Sequence, residues 1–211
     1  MPATLTTVRL QDQTTALGPG KRAVIWFHGC ALNCPGCIAK EMNEATSFTE
    51  WAPADLADWV LTRTDIEGVT LSGGDPLDQN AEALWEFVDT IRGKSKLTLL
   101  CYTGRTWAQL QHAPAGSLIH NILSALDVLI DGPYVETLND GSLWRGSANQ
   151  EVHFLSDHYA EWKSVVNTAK SRKLEVTMAK DGSFDVTGIP PAGFLQSLKI
   201  RLNEKGLSLT H

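Results

Sequence analysis

Residues 23–37 read AVIWFHGCALNCPGC, an apolar run that leads directly into three closely spaced cysteines. The run at 23–27 is short and has β-branched and aromatic members, which predicts a buried strand. Cys30, Cys34 and Cys37 follow within eight residues, so three thiolates belong to the loop after that strand. A [4Fe–4S] cluster is normally held by four thiolates. Three would leave one iron free to bind a substrate.

These cysteines could also have functions other than binding a cluster with one iron that lacks a protein ligand. A structural zinc site needs four ligands, and His28 could supply the fourth. Zinc sites more often combine two separate Cys-x-x-Cys elements, whereas the remaining cysteine of this chain, Cys101, stands alone in a predicted strand and indicates a small core residue. A thioredoxin-like dithiol would use Cys34 and Cys37 and leave Cys30 unexplained. The spacing favours iron–sulfur, with zinc as the alternative.

Length and composition set the general class of the protein. A chain of 211 residues with 43% hydrophobic and 20% charged residues predicts a single globular domain, 1–211. The net charge of −6 argues against non-specific nucleic-acid binding, which needs a basic surface. No apolar stretch of about 20 residues and no export-signal pattern is evident. We therefore expect a cytoplasmic protein with neither a nucleic acid nor a membrane as partner.

Strand patterns alternate with helix patterns along the chain, which predicts an α/β fold with a largely parallel sheet. The predicted strands lie at residues 23–27, 68–71, 97–102, 127–130 and 151–155. The predicted helices begin at Pro53, after the capping residue Asn80, near Trp107 and at Ser117.

Each motif of interest follows one of these strands. The cysteine loop follows the first strand, Ser72-Gly73-Gly74-Asp75 the second, Thr103-Gly104 the third and Asp131-Gly132 the fourth. Since ligands of parallel α/β proteins bind at the carboxyl edge of the sheet, the four loops predict one site. The paired glycines would let the backbone approach a ligand, although Gly-Gly and Asp-Pro also form ordinary turns.

In this order the motifs resemble the radical S-adenosylmethionine superfamily, and within it the activating enzymes of glycyl-radical proteins, above all of anaerobic ribonucleotide reductase. The likeness covers about residues 17–155. It is carried by Gly18-Pro19-Gly20-Lys21-Arg22, the cysteine loop, the segments LSGGDPL at 71–77, YTG at 102–104, DGPY at 131–134 and WRGSANQ at 144–150.

The resemblance implies a partial (β/α) barrel, open at one side, with core residues 17–155 and a C-terminal α+β appendage at 156–211. It implies a [4Fe–4S] cluster on Cys30, Cys34 and Cys37. It also implies S-adenosylmethionine bound by Ser72, Gly73, Gly74, Asp75, Thr103, Asp131, Arg145 and Asn149. Two positions depart from the superfamily pattern: Asp75 stands where Glu is usual, and Gly36 where many members have an aromatic residue beside the adenine.

The implied activity is reductive cleavage of S-adenosylmethionine to a 5′-deoxyadenosyl radical, which takes a hydrogen atom from a glycine of a partner protein. A flavodoxin or ferredoxin is the implied electron donor. Two alternatives stay open: a radical enzyme with another peptide or small-molecule substrate, and a non-catalytic iron–sulfur or zinc protein.

Two of the implied site residues also have alternative roles. Arg145 could form a hydrogen-bond network within its loop, and Asp131 could cap a loop.

The appendage has its own predicted elements. Residues 159–172 have the pattern of an amphipathic helix, residues 174–179 and 183–187 that of a hairpin around Asp181-Gly182, and residues 190–205 that of a helix ended by Gly206. This appendage could complete the sheet, cover the open side of the barrel or bind a partner. If it narrows the opening, a small-molecule substrate becomes more plausible than a glycine of a protein.

Overall fold

The computed structural model describes residues 3–170, 173–178 and 184–207. Seven of the described strands form one sheet with the order β3-β1-β2-β4-β5-β6-β7, and β8 and β9 pair separately. The strands are β1 Leu5–Thr14, β2 Arg22–Phe27, β3 Thr49–Trp51, β4 Gly68–Gly73, β5 Thr98–Tyr102, β6 Val128–Asp131, β7 Glu151–Phe154, β8 Leu174–Met178 and β9 Phe184–Gly188.

The helices connect the central strands. They are α1 Lys40–Glu44, α2 Pro53–Leu61, α3 Ala81–Lys94, α4 Trp107–Gln111, α5 Leu118–Ala125 and α6 Phe194–Asn203, with short 3₁₀ turns at Pro76–Asp78, Glu136–Leu138 and Ala160–Ser164. Strands β2, β4, β5 and β6 run parallel, and β1, β3 and β7 are antiparallel to their neighbours. The predicted α/β fold with a parallel centre is confirmed. Among the described residues, no helix is both long and apolar enough to cross a lipid bilayer.

The two faces of the sheet have different covers. Because side chains alternate along a strand, Ile25 and Phe27 of β2 pack into the main core with α2, α3 and α5. Val24 and Trp26 point to the other face, where no helix of that layer lies against them. Their neighbours there include Met42 of the short helix α1 and Ile189 from the C-terminal part. Helices α2, α3 and α5 therefore form a layer on one face, and a cavity lies on the other.

Local capping chemistry explains why the predicted helix starts are confirmed. The side chain of Asn80 accepts a hydrogen bond from Ala83 N at 3.0 Å, and Pro53 is the first residue of α2. Thr106 and Gln109 form a reciprocal capping box at the start of α4. These interactions join residues at most three positions apart, so they can be inferred from sequence.

The Gly-Pro-Gly entry before β2 makes room for a buried arginine. Arg22 is fully buried and donates to Thr70 Oγ1 at 2.8 Å, to Thr98 Oγ1 at 3.0 Å and to Tyr159 OH at 3.1 Å. Its guanidinium also donates to the backbone carbonyl oxygens of Val69 and Thr98. The motif therefore ties the amino-terminal ends of β2, β4 and β5 together, away from the cysteine loop.

Two sequence predictions are wrong. We expected the strand at 23–27 to be the first of the chain, but β1 precedes it. The residues of β1, LTTVRLQDQT, mix polar and apolar side chains. This strand pairs with β2 and β3 through backbone hydrogen bonds. The predicted helix at 159–172 is a 3₁₀ turn at Ala160–Ser164 followed by further turns, with residues 171 and 172 outside the described part. There Trp162 contacts Trp144, with ring centroids 4.9 Å apart.

The C-terminal hairpin does not extend the main sheet. Strands β8 and β9 pair antiparallel as predicted, and the predicted turn at Asp181-Gly182 lies outside the described residues. Helix α6 starts later than predicted, after Gly193 at a φ of 72°. It ends at Asn203, two residues before the predicted Lys205, and Gly206 has a φ of 72°. In the described part of the appendage, no strand joins the main sheet, so this part does not complete the sheet.

Candidate functional site

The cysteine loop leaves the carboxyl end of β2 with all three thiols free and partly exposed. Cys30 N donates to Asn43 Oδ1 at 2.8 Å, and Cys37 N donates to Cys34 O at 3.2 Å, which closes a turn over Pro35-Gly36. Burial raises the pKa of the Cys37 thiol, and the nearby Cys34 and Cys30 thiols raise it further. Cys101, in contrast, is 1% exposed within β5 and is a core residue, as predicted.

The cysteine loop supplies the kind of donor that holds iron–sulfur clusters, which are bound by cysteine thiolates. In the described ranges, no three His, Cys, Asp or Glu side chains converge on one metal-ion position. The thiolates of a cluster bind different irons and need not converge in that way. His28, the fourth ligand considered for zinc, stacks on Phe48, and its Nε2 lies 3.1 Å from Ala45 O, which accepts a hydrogen bond from it. The role of the three cysteines as cluster ligands stays a prediction.

The Ser72-Gly73-Gly74-Asp75 segment packs directly on the start of the cysteine loop. The strand β4 runs further than predicted, so Ser72 and Gly73 are its last residues and the loop begins at Gly74. Gly74 N donates to Phe27 O at 2.8 Å, and Asp75 N donates to Gly29 O at 2.9 Å. A Cβ on Gly74 would lie 2.0 Å from Gly29 O, and Gly73 has a φ of 96°. We predicted that these glycines let the backbone approach a ligand. The approach that the structure contains is between the two loops themselves.

Asp75 is buried between two loops and accepts hydrogen bonds from protein donors. It is 2% exposed and accepts from Leu77 N at 3.0 Å, Gly104 N at 3.0 Å and Thr103 Oγ1 at 2.9 Å. Burial raises the pKa of this carboxyl. Asp75 and Thr103 therefore hold the loops after β4 and β5 together. Their direct contact with a cofactor stays a prediction.

Asp131 and the side chains of the 144–150 segment, like Asp75, form hydrogen bonds to other groups of the protein. Asp131 accepts from Trp107 N, the first residue of α4, and from Glu151 N at 3.1 Å. Arg145 is 9% exposed and donates to Gln150 O at 3.2 Å, which is the loop network considered as its alternative. Asn149 is exposed and donates to Pro133 O at 2.8 Å. Cofactor binding by these side chains is likewise untested and stays a prediction.

A cavity of about 170 Å³ lies beside Cys37 on the face of the sheet opposite to helices α2, α3 and α5. Of the predicted site residues, Cys37 and Ser72 line it, and the other nine do not. The strands add Trp26 and Tyr102 to its wall. The remaining lining residues are Arg9, Leu17, Ile38, Ala39, Glu41, Met42, Tyr134, Gly146, Gln150, Val186, Thr187, Gly188, Ile189, Pro190 and Leu195.

Two polar atoms at this wall lack a hydrogen-bond partner within the described part of the chain. They are Tyr102 OH and Arg9 Nε, both buried. Burial raises the pKa of Tyr102, so its hydroxyl stays protonated and can donate. Since buried polar groups are nearly always paired, these atoms fit a site whose bound group supplies acceptors. Arg9 was not predicted because β1 was not recognised as a strand.

Similarity to known proteins agrees with this geometry. The family described as 4Fe-4S single cluster domain matches residues 16–153. This range contains the cysteine loop and six of the seven strands of the sheet, all except β1, with β7 included up to His153. The anaerobic ribonucleoside-triphosphate reductase-activating protein of Salmonella typhi is 36% identical over 145 residues, 65% of this chain and 91% of that protein.

Two further relatives are also named anaerobic ribonucleoside-triphosphate reductase-activating protein. The protein of Pasteurella multocida is 38% identical over 151 residues, 67% of this chain and 92% of the relative. The protein of Enterobacteria phage T4 is 32% identical over 151 residues, 69% of this chain and 90% of the relative. The chain thus belongs to the 4Fe-4S single cluster domain family and is a homologue of the anaerobic ribonucleoside-triphosphate reductase-activating proteins.

Proposed function

We propose that this protein is a radical S-adenosylmethionine enzyme that installs a glycyl radical on a partner such as an anaerobic ribonucleotide reductase. The observation that carries the proposal is the position of the cysteine loop. Three free thiols lie at the carboxyl edge of a parallel sheet, and Cys37 lines the cavity there. The names of the relatives support a role in activating a reductase.

In this proposal Cys30, Cys34 and Cys37 hold a [4Fe–4S] cluster, and the open face of the sheet is the inner face of a partial barrel. Held by these cysteines, the cluster would supply the one electron needed for reductive cleavage of S-adenosylmethionine into methionine and a 5′-deoxyadenosyl radical, and the glycine would supply the hydrogen atom that this radical takes. The protein holds the loops in register through Asp75 and Thr103, and its apolar cavity wall excludes water from the ligand.

The resemblance also implies the other partners. The electron would come from a flavodoxin or a ferredoxin, and the glycine from a loop of the glycyl-radical protein. Exposed apolar side chains beside the cysteine loop, Leu32 at 43% and Phe48 at 48%, give a partner an apolar surface to contact.

A second candidate is a radical enzyme that acts on another peptide or a small molecule. The observation that favours it is the cavity wall from residues 186–190, which lie beyond the family match at 16–153. A cavity narrowed by this wall suits a small substrate better than a protein loop. The chemistry at the cysteine loop is common to both candidates.

The first experiment tests the shared chemistry. The protein is reconstituted without oxygen with iron and sulfide, reduced with dithionite and mixed with S-adenosylmethionine. We expect 5′-deoxyadenosine and methionine in equal amounts. A protein with a full iron complement that yields neither product would exclude both radical candidates and leave a non-catalytic iron–sulfur protein.

The second experiment separates the two candidates. Reduced enzyme, S-adenosylmethionine and an anaerobic ribonucleotide reductase from the same source are mixed, and an electron paramagnetic resonance spectrum is recorded. A glycyl-radical doublet supports activation, and a reductase with its radical glycine changed to alanine serves as the control. Formation of 5′-deoxyadenosine with no doublet would favour the second candidate.

A further inference from the structure

Part of the C-terminal appendage belongs to the cavity wall. This part, residues 184–195, is called the C-terminal wall below. It lies outside the family match at 16–153 and supplies six lining residues, Val186, Thr187, Gly188, Ile189, Pro190 and Leu195. Ile189 also packs against the buried cluster of Leu17, Val24, Trp26 and Met42. The same cavity is therefore bounded by Cys37 from the family core and by Ile189 from outside it.

Arg9 connects the C-terminal wall to the main sheet. Its Nη1 donates to Asp185 Oδ1 at 2.8 Å, and its Nη2 donates to Thr187 Oγ1 at 2.9 Å. Its guanidinium carbon lies 3.9 Å from the ring centroid of Trp26, so the side chain is held on both sides. Arg9 itself lines the cavity. One side chain from β1 thus links β9 to the wall of the cavity.

Two further contacts fix the same part of the chain. Glu175 of β8 accepts hydrogen bonds from Thr14 Oγ1 at 2.6 Å and from Thr15 N at 2.9 Å. Pro190 O accepts from Asn139 Nδ2 at 3.1 Å. The hairpin is held by side chains from β1 and from the 3₁₀ turn after β6, although it shares no ladder with the main sheet.

We propose that the C-terminal wall is a specificity-determining part of the S-adenosylmethionine site and that Arg9 is its positioning residue; this rests on the proposed function. The methionyl end of that ligand is charged, and the adenine ring at its adenosyl end is flat with apolar faces. Val186, Ile189 and Leu195 give the cavity an apolar side that suits the adenosyl end. Removal of an apolar wall residue weakens binding by exposing ligand surface to water.

The test measures binding of S-adenosylmethionine to the reconstituted, unreduced protein by anaerobic equilibrium dialysis, so that the ligand is not consumed. Ile189→Ala is expected to raise Kd about tenfold, the loss for one to two methylene groups of burial. The matched control is Val176→Ala on β8, whose side chain is 62% exposed and does not line the cavity. It should leave Kd unchanged, and iron per chain should be equal in all variants.

The positioning role of Arg9 has a separate readout. We expect S-adenosylmethionine to slow amide hydrogen exchange at residues 186–189 of the unaltered protein and to have a much smaller effect in Arg9→Gln. Arg9→Lys, which keeps the charge facing Asp185, should regain part of the affinity. Melting temperatures of the ligand-free variants show whether Arg9→Gln acts on the wall or on the whole fold.

The outcomes distinguish this inference from the proposed function. If the unaltered protein binds and cleaves S-adenosylmethionine while Ile189→Ala and Arg9→Gln leave Kd and exchange unchanged, the wall has no part in the site and the proposed function stands. If the unaltered protein with full iron binds no S-adenosylmethionine, both are overturned.

Discussion

Thr103 and Asp75 are 28 residues apart in the chain, and Thr103 Oγ1 lies 2.9 Å from each carboxylate oxygen of Asp75. The same carboxylate accepts from Leu77 N and Gly104 N. One buried side chain therefore connects the loops that follow β4 and β5, next to the cysteine loop.

Replacement of this carboxylate should destabilise the whole domain. Asp75→Ala leaves two backbone donors and one hydroxyl without their acceptor in a buried position, and we expect a loss of about 3 kcal/mol in the free energy of unfolding. Denaturant unfolding of the iron-free protein measures this. Asp89→Ala, at an exposed position of α3, is the control and should change stability little. Equal losses in the two variants would contradict the assigned role.

The close contact between the two loops predicts opposite effects for two glycine substitutions. Gly74→Ala would place its Cβ 2.0 Å from Gly29 O, and we expect a loss of about 2 to 3 kcal/mol together with poorer iron retention. Gly93→Ala lies in α3 with no atom within 4 Å of the added Cβ, and it should stabilise the protein by about 0.5 kcal/mol. Denaturant unfolding measures the sign of the change in the free energy of unfolding for each variant. A Gly74→Ala variant as stable as the unaltered protein would show that the loops are not packed as described.

The cysteines divide into two groups. Cys30→Ala, Cys34→Ala and Cys37→Ala should each lose most of the iron after reconstitution, because a cluster with two protein thiolates is weakly held. Cys101→Ala should keep its iron, since this thiol is buried within β5. Iron and sulfide analysis per chain is the measurement. Equal loss in all four variants would refute the ligand assignment.

The buried arginine at the other edge of the sheet should not tolerate lysine. Arg22→Lys keeps the charge but cannot reproduce the fork that donates to Thr70, Thr98 and Tyr159, and we expect a loss of about 3 kcal/mol. Arg201→Lys on the exposed surface of α6 is the matched control and should be close to neutral. Thermal and denaturant unfolding compare the two. A near-neutral Arg22→Lys would mean that charge alone matters there.

The link between β8 and the end of β1 should depend on pH. Burial alone would raise the pKa of Glu175, but hydrogen bonds from Thr14 and Thr15 outweigh it and hold the pKa below the ordinary 4.5. The stabilisation from this carboxylate is therefore complete above pH 4.5 and is lost as the pH falls through the lower folded-state pKa.

The comparison that isolates this effect is the difference in unfolding free energy between the unaltered protein and Glu175→Gln. We expect the difference to shrink as the pH falls below 4.5. Glu86→Gln, an exposed change on α3, should show no such trend. A difference that grows as the pH falls would reverse the sign of the assigned shift.

The elements that the sequence predicted well are those with local causes. The strand at 23–27, the cap at Asn80 and the helix near Trp107 depend on neighbours within a few positions. The prediction of a helix at 159–172 was wrong because the spacing of its apolar residues does not come from a helix. Trp162 and Val166 lie in a series of short turns and pack with Trp144 against the sheet. Strand β1 was missed because its polar residues, Arg9 among them, bond to the C-terminal hairpin.

The amino-acid order alone determined where the candidate groups lie: three thiols after a buried strand, and polar segments at the ends of the parallel strands that follow. The tertiary structure alone decided what those loops contact. Asp75 takes its donors from Thr103 and Gly104, and Arg9 reaches Asp185 across 176 positions of the chain. Such contacts have no local signal, because their energy is gained only after the whole sheet has brought distant segments together.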